Sequence, residues 1–485
     1  MSAAVLPGNF AAIALECGLT LLAFAVLGVG MVYPNRRDGR HEAALATAGF
    51  TVLFIGTFLG LSPAGEAFGG AWGVGPMSVL YKRLFLAAGA LVALLACPSG
   101  EPRPSIPRGR TGEAIGLMVL SVTGMCVLVS ARELALLYTG LELVTMPLVA
   151  LVAIHPREPK GAEAGLKYVF TSALSSGFLL YGLSFVYGLT GSTYLATVAE
   201  RLPPGPLTLA ALVMVMVGVG FKISVVPFHL WAPDVYEGGP VVVSAFLAVA
   251  SKAAGFALFA KAIAVAFTRV GPSVSLLVAV LAVLSMSIAN LVALHQTNIK
   301  RFLAWSSVAQ AGYLLVGLAP GGARADASVA FYLLVYLVSS LAAFGVAAIV
   351  SGATGRDDMR EYVGLSESNP KLAFVMMLAL FSLSGIPPLA GFLGKFFLFA
   401  SAAQSGMAWL VLVAAVNSTV SLYYYLTVIR WMYIEKPKGE ATAVPPIRIA
   451  ATANWVLMIS VAGMLGLGLF PQFLRWVEAA AKVGF

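Results

Sequence analysis

The stretch "GFKISVVPFHLWAPDVYEG", residues 220–238, sets a lysine, a proline and a histidine inside sequence otherwise as apolar as a bilayer core. Lys222 precedes Pro227, His229 follows it, and Pro233 and Pro240 interrupt the run again. Proline removes a backbone donor and breaks helical hydrogen bonding. Non-helical backbone at membrane depth survives only where protein or a water-filled cavity satisfies its polar groups. The stretch therefore reads as a broken transmembrane helix around a buried polar pocket.

The rest of the chain supplies the membrane. Of 485 residues, 60% are apolar and 11% charged, against about 25% charged in an ordinary soluble domain. A bilayer core of about 30 Å takes roughly 20 apolar residues per helix. Windows of that kind predict about fourteen helices, near 9–33, 43–62, 80–97, 113–130, 134–154, 165–189, 207–227, 241–266, 272–294, 301–319, 328–350, 371–404 (interrupted), 408–433 and 450–470. The runs are too long and too evenly apolar for barrel strands of about 10 residues. The expected fold class is an all-α polytopic membrane protein with no room for a soluble domain in its loops.

The first span has no basic leader and is followed by Arg36, Arg37 and Arg40, so it reads as a retained helix rather than a cleaved signal. The net charge of +9 is explained by placement. Basic clusters at 36–40, 103–110, 157–160, 300–301, 356–371 and 430–448 fall on one side if odd-numbered spans run inward. The positive-inside rule then puts both termini outside the cytoplasm of a cell (plasma) membrane, with a thylakoid-type membrane as the alternative. The basic balance is topology, and no nucleic-acid partner is expected. Cys17, Cys97 and Cys126 have no metal-ligand spacing, and no nucleotide or haem motif occurs. Redox chemistry, if coupled to this chain, belongs to other chains.

A second break resembles the first: "LSGIPPLAGFLGKFFLF", 383–399, with Gly385, Pro387, Pro388, Gly391 and Gly394. The breaks fall in the seventh and twelfth predicted helices. Five is odd, so a second five-helix unit would enter the membrane from the opposite side, as in the inverted repeats of transporters. The expected units are an N-terminal three-helix segment (1–112), a first repeat (113–266), a second, inverted repeat (272–433) and a C-terminal helix and tail (434–485).

Charges inside a membrane cost at least about 2.5 kcal/mol on insertion scales and mark function by default. The lysines within predicted spans include Lys167, Lys222, Lys252, Lys261 and Lys395; the acids within or near spans include Glu16, Glu133 and Glu142. Lys261, close to the end of its helix, is expected to snorkel to the interface. Glu16 and Glu133, close to span ends, are expected at the interface as well. Lys222, Lys252 and Lys395 are flanked by apolar residues on both sides, and two of them lie beside breaks. Glu142 lies mid-span and needs a cationic partner or a proton, with Lys167 the candidate partner. Moving a charge between a buried carboxylate and a buried lysine switches proton affinity, which is the chemistry of a relay. His229 titrates near neutral pH, and its bland alternative is a bond to a carbonyl freed by Pro233.

These motifs resemble a known family. Residues 220–261, "NIKRFLAWSSVAQAGYLLVG" (298–317), "FSLSGIPPLAGFLGKFFLF" (381–399), "LYTGLELVTMPLVAL" (137–151) and 165–191 are similar to the signature of subunit N of bacterial NADH-quinone oxidoreductase, complex I. The resemblance implies a fourteen-helix antiporter-like fold packed beside other membrane-arm subunits, homologous antiporter-like ones included. It implies Glu142, Lys167, Lys222, Lys252 and Lys395 as proton-translocating groups, with His229 assisting. It places no cofactor or metal on this chain and puts quinone, FMN and iron-sulfur clusters on partner subunits. The alternative is a subunit of a multi-subunit Na+/H+ antiporter. Such chains typically carry a sequence like "WLPDAH" after the first break, where this one reads "WAPDVYEG". Many family members also have histidine where Gln310 stands, which removes titration at that position.

Overall fold

The computed structural model describes residues 8–32, 39–98, 104–107, 109–155, 158–436 and 444–485. Arg36, Arg37, Arg103, Arg108, Arg157 and Lys438, part of the basic clusters behind the orientation argument, lie outside the described residues.

The order is α1 (Gly8–Ala12), α2 (Ala14–Val32), α3 (Arg40–Phe58), β1 (Gly65–Ala67), β2 (Trp72–Val74), α4 (Pro76–Leu95), α5 (Thr111–Ser130), α6 (Leu134–Val152), α7 (Pro159–Thr190), α8 (Leu195–Arg201) and α9 (Pro206–Ile223). Then come α10 (Trp231–Gly238), α11 (Val241–Phe246), α12 (Lys252–Phe259), α13 (Gly271–Ala293), α14 (Ile299–Leu318), α15 (Ala323–Thr354), α16 (Leu365–Ser368), α17 (Pro370–Ser384), α18 (Ala390–Gln404), α19 (Ala408–Tyr433), α20 (Ala451–Leu469) and α21 (Gln472–Val483). The π-helical turns Leu247–Ser251 and Ala260–Val265 join α11 to α12 and extend α12.

The ends of these helices follow from their sequence. Proline stands in the first turn of α4, α7, α9, α13 and α17, where a missing donor costs nothing. The Asn298 side chain accepts from the amides of Lys300 and Arg301 at the start of α14. Glu133, near a span end as expected, caps α6 by accepting from Leu136 N.

Among the described residues, twelve helices are long and apolar enough to cross a membrane. Two expected spans fall outside that set for different reasons. The helix α14 has 20 residues but carries Lys300, Arg301, Ser306, Ser307 and Gln310, and all but one of its residues are buried in protein, so it needs no apolar face for lipid. The interrupted span is split into α17 and α18 of 15 residues each. The all-α expectation needs one small amendment: β1 and β2 pair antiparallel, with Glu66 opposite Gly73, in a glycine-rich loop after α3. We call the membrane side that carries this loop the hairpin face. The expected C-terminal tail holds a further helix, α21, packed against α15 and α4.

Burial divides the molecule into a centre and a rim. The apolar window of α11–α12 is 100% buried and that of α15 94%, whereas α7, α3 and α20 stand at 28%. Rim helices present large apolar side chains such as Phe170, Leu174, Tyr423 and Trp455 outward. The polar residues taken up below sit mainly on the central helices.

Candidate functional site

At the first break, α9 stops at Ile223, and Ser224 takes left-handed backbone geometry (φ 58°). The freed backbone finds partners on other elements: Val226 N donates to Ser285 Oγ at 3.0 Å, and Trp231 Nε1 to the Phe221 carbonyl at 3.1 Å. Lys222 is buried in the last turn of α9, where the negative end of the helix dipole favours a cation. Its ammonium donates to Thr145 Oγ1 of α6 at 2.9 Å. Glu142, three residues earlier on α6, accepts from Ser176 Oγ of α7 at 2.5 Å and interacts electrostatically with Lys222. Gly255 of α12 allows the close approach of α9, since a Cβ there would lie 2.7 Å from Ile223 Cγ2 and 3.1 Å from Lys222 Cγ.

Lys252 follows the first π-helical turn and is buried. It donates to the Ser307 carbonyl of α14 at 2.6 Å and to the Ser307 hydroxyl. Ser307, Gln310 and Tyr313 recur every three residues along one face of α14. The Gln310 amide donates to the Leu383 carbonyl at 2.9 Å and to Tyr425 OH at 3.3 Å, and accepts from Tyr332 OH. The Tyr313 ring lies 4.4 Å from the Lys395 ammonium. A polar face of α14 thus runs from Lys252 to Lys395, with Gln310 as its neutral middle.

At the second break, α17 ends at Ser384 and Gly385 turns through φ 89°. Lys395, in α18, reaches back to the Ser384 carbonyl and to Ser418 Oγ of α19, each at 3.0 Å. Gly391 packs where no side chain fits: a Cβ would stand 1.6 Å from the Ser382 carbonyl oxygen.

His229 is buried beside Trp305, with ring centroids 5.2 Å apart, and it interacts with the backbone of Pro227 at the break. Three expectations are corrected. Lys167 does not serve Glu142: it pairs with Asp234 at 2.7 Å and Glu163 at 2.8 Å, its side chain 43% exposed. Asp234, in α10, lies within reach because the break returns the chain toward the start of α7. Arg301 bonds Asp234 and Glu237, and these groups line a cavity of about 240 Å3 on the face opposite the hairpin. Lys261 does not snorkel; it is buried and donates to the carbonyls of Val129 and Ala131 at the end of α5. Glu16 is not interfacial either, because Lys82, a residue the sequence reading passed over, pairs with it at 2.8 Å inside the protein. Lys82 stands near the start of its helix, so its sequence position gave no sign of burial. No group of three His, Cys, Asp or Glu side chains fit to hold a metal occurs among the described residues.

Two broken helices, each with a buried lysine, and a protein-enclosed helix whose polar face joins Lys252 to Lys395 fit the antiporter-like class of membrane subunits. Residues 131–421 match the family described as NADH:quinone oxidoreductase/Mrp antiporter, TM. The chain is 41% identical to NADH-quinone oxidoreductase subunit N of Desulforamulus reducens, covering 98% of this chain and 99% of that one. It is 40% identical to the subunit N of Heliobacterium modesticaldum at the same coverages. Among solved structures, a chain of respiratory complex I from Thermus thermophilus superposes with a TM-score of 0.81 at 32% identity, over 97% of this chain and 100% of that one. A chain of the Mrp complex from Dietzia shares the fold, with a TM-score of 0.82 at 22% identity. The chain belongs to the subunit N family of NADH-quinone oxidoreductase, the antiporter-like subunits of the complex I membrane arm.

Proposed function

We propose that this chain carries protons through the membrane arm, driven by quinone reduction on other subunits, along the line Glu142, Lys222, Lys252, α14 and Lys395. The single observation that supports this most is the α14 face, which joins Lys252 to Lys395 through Ser307, Gln310 and Tyr313. Glu142 and Thr145 are the acceptor side of Lys222, and a proton moved onto Glu142 leaves Lys222 without its counter-charge. His229, buried at the break beside Trp305, is the group that passes protons to the pocket. Lys167, held at the face opposite the hairpin by Asp234, belongs to the access route rather than to the line itself.

Gln310 cannot titrate, so protons cross that position by hydroxyl groups or water. The chain itself supplies no redox centre; quinone, FMN and iron-sulfur clusters are proposed for partner subunits. Neighbouring antiporter-like subunits and lipid cover the apolar rim. Both termini face away from the cytoplasm, and residues 113–266 and 272–433 are the two inverted repeats, each with its break. Moving one charge against 100 mV costs about 2.3 kcal/mol, so an isolated chain does no net transport against the membrane potential.

Purification of the chain in its native assembly tests this reading against an Na+/H+ antiporter. Flavin- and iron-sulfur-bearing subunits are expected to co-purify in stoichiometric amounts; an assembly without them that exchanges sodium for protons would reverse the assignment.

A further inference from the structure

A second cluster of buried charges lies away from the α14 axis, toward the hairpin face. Lys82 of α4 is fully buried, bonding Glu16 of α2 at 2.8 Å and Ser62 Oγ at 3.1 Å. Among the described residues the Glu16 carboxylate has no hydrogen-bond partner apart from this ion pair. One turn before Lys82, Ser78 Oγ donates to the Val129 carbonyl at 2.9 Å. Lys261 donates to that same carbonyl. Ser78, on the same helix as Lys82, and Lys261 therefore share one acceptor, and Lys261 interacts electrostatically with both Lys82 and Arg132.

Lys261 also borders open space. A cavity of about 380 Å3, bounded among others by Glu66, Arg132, Tyr194, Lys261 and Phe485, reaches the surface beside the hairpin. At about 30 Å3 per water molecule, it has room for roughly ten. Arg132 pairs with Glu66 at its rim. Along α12, Lys261 stands nine residues beyond Lys252, a rise of about 14 Å. A π-helical turn accompanies each lysine, 247–251 before Lys252 and 260–265 around Lys261, and such turns gather at functional sites.

We propose that Lys261, with the Glu16–Lys82 pair behind it, forms a second proton-holding site that exchanges protons between the Lys252 axis and the aqueous cavity at the hairpin face. This rests on the proton-carrying reading above. In one direction the Lys261 ammonium gives its proton to cavity water and becomes a neutral amine. The Glu16–Lys82 pair stays mutually neutralised throughout, and a proton arriving from the Lys252 side restores the ammonium. A lysine that only capped α5 would need no cavity and no carboxylate pair behind it.

The test uses the assembled complex in sealed vesicles and reads protons released per quinone reduced. Lys261→Arg keeps the charge and donors for the Val129 and Ala131 carbonyls but cannot release a proton. Its ratio is expected to fall at least about twofold, as is that of Lys261→Met. A structural cap would be rescued by arginine, so a parental ratio in Lys261→Arg overturns the proposal. Glu16→Gln/Lys82→Met removes both charges together, leaving no lone buried charge, and is expected to lower the ratio too; a parental ratio there removes the pair from the site. Lys222→Ala is run alongside. Loss of pumping there with normal pumping in Lys261→Arg defeats this proposal alone, whereas normal pumping in Lys222→Ala defeats the reading beneath it.

Discussion

The two broken helices reach one electrostatic solution by different routes. Lys222 sits inside the last turn of α9 and uses that helix's negative end directly. Lys395 belongs to the half-helix after its break, α18, near the positive end that disfavours a cation. It compensates by extending back to the Ser384 carbonyl, the last of α17. Both ammonium groups therefore rest at the C-terminal end of the first half-helix. They differ in company. Lys222 has a carboxylate, Glu142, in electrostatic contact; the contacts of Lys395 are a carbonyl, a hydroxyl and a tyrosine ring. A lysine with a titratable counter-ion responds to a proton arriving nearby, and one with neutral partners responds mainly to whether its own proton is present.

Gly391→Ala is expected to have the largest effect, because its Cβ would overlap the Ser382 carbonyl oxygen, a backbone atom that cannot swing away. Membranes carrying it should hold almost no assembled complex. Gly255→Ala, packed against the first break, meets the Ile223 side chain at 2.7 Å and the Lys222 backbone only at 3.2 Å, and should assemble at a visibly higher level. Immunoblots of native gels compare the two; equal assembly would mean that the second break is as yielding as the first.

Glu142→Gln should lower protons released per quinone reduced by about tenfold, the weight of roughly 1.4 kcal/mol, because Lys222 loses its counter-charge. Ser418→Ala, which removes the hydroxyl beside Lys395, should change the ratio by no more than about fivefold, since the Ser384 carbonyl remains and a hydrogen bond contributes about 1 kcal/mol net. If the serine change proves as severe as the glutamate change, the contrast in counter-ions has no functional weight. Smallest of all, Gln310→Glu tests the neutral middle of α14. The new carboxylate loses the amide that donates to Leu383 and Tyr425, so pumping should fall while the helix ends stay in place, read as an unchanged protease-digestion pattern.

Much of this was legible before any coordinates. Prolines and glycines inside apolar runs marked both breaks, and apolar flanks on both sides marked Lys222, Lys252 and Lys395 as buried. What stayed hidden depended on distant partners. Ser307 meets Lys252 across 55 positions, and Lys82 meets Glu16 across the hairpin loop; an apolar pattern records depth in the membrane but not which neighbour supplies a hydrogen bond. Lys261 was misplaced for the same reason, because closeness to a helix end was read as exposure while the end of α5 and Phe485 cover it. Lys167 was assigned to Glu142 since both lie on consecutive helices, yet the first break brings Asp234 to it instead.

Proton release per quinone reduced, measured in sealed vesicles for the complex carrying Lys222→Ala, bears on all of this. The ratio is expected to fall at least about tenfold below that of the parent, with the complex still assembled on native gels. A Lys222→Ala complex that releases as many protons per quinone as the parent would mean that the first break is a structural kink and not a step in the proton path.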